Sequence, residues 1–378
     1  MLKYILLGSM LFIGSTLLIS QSNEVAMNSS LWDYNEETMT FTDHNGIPVL
    51  HISGDGIATI NDVVFQSGTI EFDYYAKGRG FCGIYFRRQQ GANSSPELNS
   101  EFFYMRSFKI DNPILPGSVQ YAPIIRGTNL WDLLHDYEAN ALIKSETWNR
   151  VKLIISNEQM KVFLNDNLVL WIPELLGPSQ PGIISLEGAG MYANMKIDNQ
   201  SSTEIPDSKG ADVTAHDVRY LRDWQYSPSY ELLNTTAITK EMLPDSNTVW
   251  SPISAGRFGL INLTKEISSP FIEKKREMVW LTTTIESSYN QTKRLNLGFS
   301  DDISVYVNGK LVHIDKNTFG SSMAKQPNGR LHIDNALINV PIVKGENKIT
   351  IALANDFFGW GLVARLDNMR GIVNKMKN

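Results

Sequence analysis

The sequence predicts an all-β protein, with two β-sandwich (jelly-roll) domains in tandem after a signal peptide. Three observations carry this. Runs of alternating apolar and polar residues, bounded by turn residues, follow one another along most of the chain, and no helical heptad stands out. Residues 295–313, LNLGFSDDISVYVNGKLVH, set two such runs around Asn308-Gly309, the dipeptide that best accepts positive φ at both centres of a type I′ hairpin turn. Residues 161–170, KVFLNDNLVL, repeat the plan of residues 304–313, SVYVNGKLVH: Val, an aromatic, an aliphatic, Asn, a turn residue, then Leu-Val. One hairpin in each of two domains is the expectation.

The chain has 378 residues, enough for two domains that each bury a core. Charged residues make up 20 % and aromatics 10 %, a balance that suits a folded β-rich chain and not a disordered one. A net charge of −6 argues against a broad nucleic-acid surface, so no nucleic-acid partner is expected. Lys3 followed by the apolar residues 4–19, broken only by Gly, Ser and Thr16, reads as a secretory leader occupying residues 1–20. No cysteine stands there to carry a lipid, so the expected location is secreted or periplasmic, with no stable membrane span after cleavage. Cys82 is the only cysteine, which excludes an intrachain disulfide framework. Asn93 and Asn234 begin Asn-x-Ser/Thr triplets that matter only in a glycosylating host.

Taken in order, residues 24–198 form the first expected domain. In GTIEFDYY, Ile70, Phe72 and Tyr74 share one face while Glu71, Asp73 and Tyr75 share the other. FCGIYFRR, EFFYMRSF, VQYAPIIRGTN, WNRVKLII and GIISLEG supply further strands, with turns at Ser156-Asn157 and Asn165-Asp166. The polar residues 199–212, with Pro206 and Gly210, are the expected linker. Residues 213–373 form the second domain, with RDWQ, VWLTTTIES, the Asn-Gly hairpin, GENKITIALAN and GWGLVARL.

In the first domain, GTIEFD, Trp148-Asn149-Arg150-Val151-Lys152, KVFLND, GIISLEG and Gln120-Tyr121-Ala122-Pro123 together resemble the concanavalin A-like lectin/glucanase (laminin G-like) sandwich. In the second, RDWQ, FSDDISVYVNGKLV, VKGENKITIALAN and GWGLVARL are similar to the galactose-binding-like jelly rolls appended to many glycosidases. The resemblance implies a secreted protein of bacterial polysaccharide use, with an accessory more than a catalytic role for the second domain.

Candidate site residues follow from strand parity. In CGIYFRR, Ile84 and Phe86 alternate with Tyr85 and Arg87; in FFYMRSF, Phe103 and Met105 alternate with Tyr104 and Arg106. With the aliphatic set inward, each strand presents Tyr-x-Arg outward. Tyr121, Arg126 and Trp131 lie in the segment expected to cover that face, with Gln120 and His135. Aromatic rings stack on sugar faces, and a guanidinium holding a carboxylate or sulfate contributes about 1.5–3 kcal/mol. The competing reading pairs these arginines with Glu97, Glu101 or Asp111.

The glucanases of the first sandwich carry Glu-x-Asp-x-x-Glu, whereas here Glu71-Phe72-Asp73-Tyr74-Tyr75-Ala76 lacks the third acid. That argues against a paired-carboxylate glycosidase. Lyases of similar sandwich fold use Arg, Gln, His and Tyr, which this chain offers as Arg106, Gln120, His135 and Tyr104. Asp301-Asp302 offers hard oxygens for calcium without a multi-ligand spacing, so no cofactor is expected. Trp360 reads as a sugar platform or a core aromatic, and Cys82 as a buried small hydrophobe. The leading expectation is a carbohydrate-recognition protein for acidic or sulfated polysaccharide or oligosaccharide. A lyase acting by β-elimination or dehydration on uronate oligosaccharides is the alternative, and a structural or adhesive surface protein is the third reading.

Overall fold

The computed structural model describes residues 23–77, 80–89, 99–107, 111, 117–200, 204–233, 237–267, 275–355 and 357–374. The expected leader, Asn93, Glu97 and Asn234 lie outside the described residues. No helix among the described residues is long and apolar enough to cross a membrane.

The fold is all-β, as the alternation predicts, and the strands of the described residues form four sheets. Two come from the N-terminal half. The first runs Asn167–Ile172, Met160–Leu164, Trp148–Ile155, Gly68–Tyr75, Gly190–Asp198, Ile47–Ile52 and Met39–His44. The second runs Thr128–Asn129, Ile124–Ile125, Asn99–Arg106, Phe81–Arg88, Ile183–Glu187, Ile57–Ile60 and Trp32–Asp33, with Val119–Tyr121 and Glu138–Ala139 added beside Asn99–Arg106. Their inward residues merge in one core: Ile70, Phe72 and Val151 from the first sheet meet Ile84, Phe86 and Phe103 from the second. Glu71 and Asp73 point outward and pair with Arg150, as structural partners on the sheet surface.

The C-terminal half repeats the plan. One sheet runs Ser251–Ser254, Asp223–Tyr226, Arg276–Ser287, Gly345–Asn355, Asp302–Val307 and Lys310–Lys316; the other runs Leu260–Asn262, Gly361–Leu366, Gln291–Phe299 and Ala336–Ile342. Val279, Val305 and Ile351 pack against Leu297, Phe299 and Leu362 between them. Trp360 is fully buried in this core, so it is no exposed sugar platform.

Both hairpins form where expected. Asn308 and Gly309 have φ of 50° and 73°, and Asn165 and Asp166 have φ of 50° and 64°. The stretch at 295–313 is nevertheless not one hairpin. Its first part belongs to Gln291–Phe299 in one sheet, and the chain crosses at Ser300-Asp301 to Asp302–Val307 in the facing sheet. Asp302 pairs with Arg276 at 2.6 Å and Lys316 at 3.2 Å, and the Asp301 carboxylate accepts from the Phe357 N–H at 3.1 Å. These two acids are thus engaged by the protein itself.

The segment expected as a linker is laid down on both halves. Pro206, Ser208 and Gly210 are bonded to Ser156, Gln159 and Pro173 on one side. On the other, Arg257 donates to the Gly210 and Ala211 carbonyls.

Glycine is required where the second N-terminal sheet turns beside Glu187. Gly188 has φ of 93°, and a Cβ there would lie 1.8 Å from the Phe81 carbonyl oxygen. Gly188→Ala is expected to destabilise the protein by at least about 2 kcal/mol. Urea denaturation of the two forms measures it, and equal midpoints would refute this account of the turn.

Candidate functional site

A row of polar side chains crosses three short strands. Tyr104 stands opposite Gln120, and Gln120 opposite Glu138, in the antiparallel registers of Asn99–Arg106, Val119–Tyr121 and Glu138–Ala139. Cross-strand partners on one face lie side by side, so the row is continuous. The Tyr104 hydroxyl donates to Gln120 Oε1 at 2.6 Å and accepts from Arg106 Nη2 at 2.8 Å. Arg106 also donates to Gln120 Oε1 and the Gly117 carbonyl, both at 2.5 Å, and its Nη1 stands 3.4 Å from Glu138. Gln120 is fully buried, and its amide donates to the Trp131 and Leu134 carbonyls.

Glu138 then reaches the C-terminal half. Arg330 holds it with both terminal nitrogens, at 2.5 and 3.0 Å. Burial alone would raise the Glu138 carboxyl. The neighbouring His135 and Arg330, with the added charge of Arg106, outweigh that and hold it at about 2. A second carboxylate of the same segment pins the other C-terminal loop. Asp132 accepts the Gly359 N–H at 3.0 and 3.1 Å and is fully buried, which raises it to about 7.

Between these contacts opens a cleft of about 570 Å³, within the range of small-molecule sites. The N-terminal half lines it with Phe81, Tyr85, Phe102, Tyr104, Arg106 and Glu187, and the C-terminal half with Phe319, Asn328, Arg330, Phe357 and Phe358. Tyr85, Phe102 and Tyr104 are stacked in series, with centroids 4.1 and 5.2 Å apart and planes within 15°. Arg88 lies over the Tyr85 ring at 5.5 Å and Arg106 over the Tyr104 ring at 5.0 Å. The faces of these three rings are therefore used inside a ladder that begins and ends in arginine. Gly83 makes room for it, since a Cβ there would lie 2.8 Å from Tyr104 Cβ. The Phe81 ring, 54 % exposed, meets Tyr104 edge-on at 5.6 Å. Trp131 meets Phe319 edge-on at 4.9 Å. The Tyr85 hydroxyl donates to Glu187 Oε2 at 2.6 Å.

The expected residues divide accordingly. Tyr85, Tyr104, Arg106 and Trp131 line the cleft, and Gln120 lies beneath it as a saturated support. Arg87 does not join them. Two residues of Phe81–Arg88 stand opposite one of Ile183–Glu187 at this point, and Arg87 has φ of 49°. This bulge reverses the parity, so Arg88 takes the place beside Tyr85. Arg87 turns inward to the carbonyls of Gln66 and Ser156, with Glu101 at 3.9 Å. Tyr121 is also removed: as the strand neighbour of Gln120 it must face the other way, and it is buried with its hydroxyl on Glu101 at 2.6 Å. Arg126 occupies a tight turn with Gly127, both at positive φ, and its side chain reaches the Lys265 carbonyl at 3.1 Å. His135 is not a lining residue. It sits behind Glu138, with Nδ1 at 3.3 Å from Oε1. Cys82 is buried and its thiol is pushed up to about 12 by burial, as befits an inert core residue.

Sequence reasoning missed Glu187, Arg88, Phe102 and Phe81, and every contribution from the C-terminal half. Parity did contain Glu187, which shares its strand face with Ser185, two residues earlier. A smaller cavity of about 230 Å³ lies elsewhere between the halves, beside Tyr137, Tyr220 and Phe258, and none of the expected residues lines it.

A family model described as a 3-keto-alpha-glucoside-1,2-lyase-like domain matches residues 26–199, the half that carries Tyr85, Tyr104, Glu138 and Glu187. No curated protein matches the chain. Among solved structures, the carbohydrate-binding module CBM66 from Bacillus subtilis is 16% identical over 46% of this chain and 96% of its own, with a TM-score of 0.33. The Bacillus licheniformis β-glucanase is 12% identical over 47% of this chain and 98% of its own, with a TM-score of 0.36. A family 35 carbohydrate-binding module from an environmental isolate is 13% identical over 26% of this chain and 72% of its own, with a TM-score of 0.20.

The Glu138 pairing has a pH signature. Its folded value of about 2 lies below the ordinary 4.5. The pairing therefore stabilises fully above pH 4.5, and that contribution is lost as the pH falls toward 2. Glu138→Gln is expected to lower stability at neutral pH by about 1–2 kcal/mol, discounted for partial solvent access. The variant should also flatten the acid limb of a thermal-melt series. An unchanged acid limb would assign it to other carboxylates.

Proposed function

We infer that the cleft between the halves binds a saccharide of disaccharide scale. The observation that carries this is the combination of an exposed Phe81 ring with hydroxyl, carboxamide and carboxylate groups around one opening. Such a set suits a ligand with apolar ring faces and a polar rim. The family model over residues 26–199 supports the same chemical class. The reading takes residues 24–198 and 213–373 as two sandwich domains, the second serving as a wall of the first one's cleft. With the leader expected at residues 1–20, it places the protein among exported carbohydrate-handling proteins.

An uncharged saccharide fits better than the acidic or sulfated one expected from the sequence. Arg87 faces the core, Arg106 spends its donors on Tyr104, Gln120 and Gly117, and Arg330 is held by Glu138. Each guanidinium of this set is already engaged by acceptors of the protein, which weakens its pull on a carboxylate or sulfate.

A second reading, lyase-type elimination, is favoured by the Tyr85–Glu187 pair. A ketone at C3 of a glycoside acidifies the hydrogen on C2. In this reading the Glu187 carboxylate takes that proton, the C1–C2 double bond forms as the C1–O bond breaks, and the leaving oxygen collects the Tyr85 proton. Glu187 then returns its proton to Tyr85. The uronate elimination expected from the sequence makes the same demands, with a carboxyl group in place of the ketone.

Tryptophan fluorescence titration with disaccharides tests the first reading. Phe81→Ala is expected to weaken binding about tenfold with an unchanged melting temperature, because the exposed ring contributes stacking and little to the core. Equal affinity in the variant would remove the carrying observation. Mass spectrometry of the same mixtures, with 3-keto-glycosides and uronate oligosaccharides added, separates binding from chemistry. Unsaturated products that vanish in Glu187→Gln would establish the second reading, and unchanged masses would leave recognition alone.

A further inference from the structure

We propose that the C-terminal half selects the saccharide through the turn at residues 326–329, with the Asn328 carboxamide reading the orientation of ligand hydroxyls. This rests on the reading of the cleft as a saccharide site. Asn328 lines the cleft from the half outside the residues that the family model matches. Its side chain is exposed, and no described residue hydrogen-bonds it.

The turn that carries Asn328 is held from three sides. Asn328 and Gly329 both have positive φ, 49° and 73°. Gly329 lies against the backbone of Phe319, where a Cβ would come within 2.5 Å of Phe319 Cα. The Gly329 N–H donates to the Lys325 carbonyl at 2.6 Å and the Arg330 N–H to the Pro327 carbonyl at 3.1 Å. Arg330 then anchors the turn across the seam on Glu138. The backbone that carries this side chain is held before any ligand arrives, and the carboxamide's donor and acceptor are both unspent, so binding has only the side-chain rotamer left to order.

The chemistry fits one ligand class. A carboxamide presents an N–H donor and a C=O acceptor side by side, matching two adjacent sugar hydroxyls. Asn129 also lines the cleft. Its Oδ1 accepts from the Trp131 N–H at 2.9 Å, and its amide hydrogens have no partner among the described residues. Two carboxamides from different halves thus share one opening. A site that hydrogen-bonds a hydroxyl discriminates against the epimer that points it elsewhere.

The test uses the full chain and the disaccharides cellobiose, lactose, maltose and trehalose as probes. Cellobiose and lactose differ at a single hydroxyl configuration. Asn328→Gly keeps the positive-φ turn, and Asn328→Asp keeps the acceptor while removing the donor. The expected result is an affinity for the preferred disaccharide about three- to tenfold weaker in Asn328→Gly. The ratio between cellobiose and lactose should narrow, and Asn328→Asp should fall between, with both melting temperatures unchanged. Retained affinity and ranking in both variants, with Phe81→Ala still weakening binding, would overturn the selection role and leave the saccharide site standing. No binding of any probe by the unaltered protein would overturn the site itself, and the selection role with it.

Discussion

Glu138 depends on charge compensation, because a carboxylate removed from water is stable only when cations and hydrogen bonds replace its hydration. Arg330 supplies two bonds from the C-terminal half, and Arg106 and His135 crowd it from the N-terminal half. Much of the cleft follows from this one residue. Arg106 is oriented between Glu138, Gln120 and Tyr104, so the Tyr104 ring is fixed at the end of the aromatic ladder. Arg330 is fixed as well, and with it the turn that bears Asn328.

Asp132 does for the second loop what Glu138 does for the first. Its buried carboxylate takes a backbone N–H of Gly359, next to Phe357 and Phe358, and no side chain larger than hydrogen fits at Gly359, where a Cβ would lie 2.5 Å from Leu133 Cγ. Both acids come from the few residues between Trp131 and Glu138. That short segment leaves the N-terminal sheet, makes one turn of 3-10 helix at His135–Tyr137 and returns as a two-residue strand. It therefore sets the relation of both C-terminal loops to the tyrosine row. The apolar core also runs across the seam, since Tyr220, Leu331 and Val363 pack with the N-terminal cluster.

The aromatic ladder changes how the cleft meets a ligand. Tyr85, Phe102 and Tyr104 turn their faces to each other and their ends to arginines. What they offer outward is hydroxyl chemistry, above all the Tyr85–Glu187 pair. Ring-face contact is left to Phe81 and the herringbone group around Trp131. A cleft lined by tyrosines and arginines is thus compatible with a site whose arginines hold the protein and not the ligand.

The sequence by itself determined the all-β class, the two Asn-turn hairpins and the inward set Ile70, Phe72 and Tyr74, because strand alternation and positive-φ turn residues act locally. It also placed Tyr85, Tyr104 and Arg106 on the outward face. One extra residue in Phe81–Arg88 was enough to defeat the same parity for Arg87, because a bulge is a property of two paired strands and has no signature in either alone. Tyr121 failed because it was grouped with Gln120 on one face, and adjacent residues of the strand that forms there cannot share a face. Only the tertiary structure decided the rest. Glu138 and Arg330 are 192 residues apart, and Asn328 reaches the cleft from a turn whose Gly329 packs on Phe319. Contacts between distant segments are set by how the sandwiches dock, and docking depends on shape and charge summed over two surfaces that no local pattern encodes.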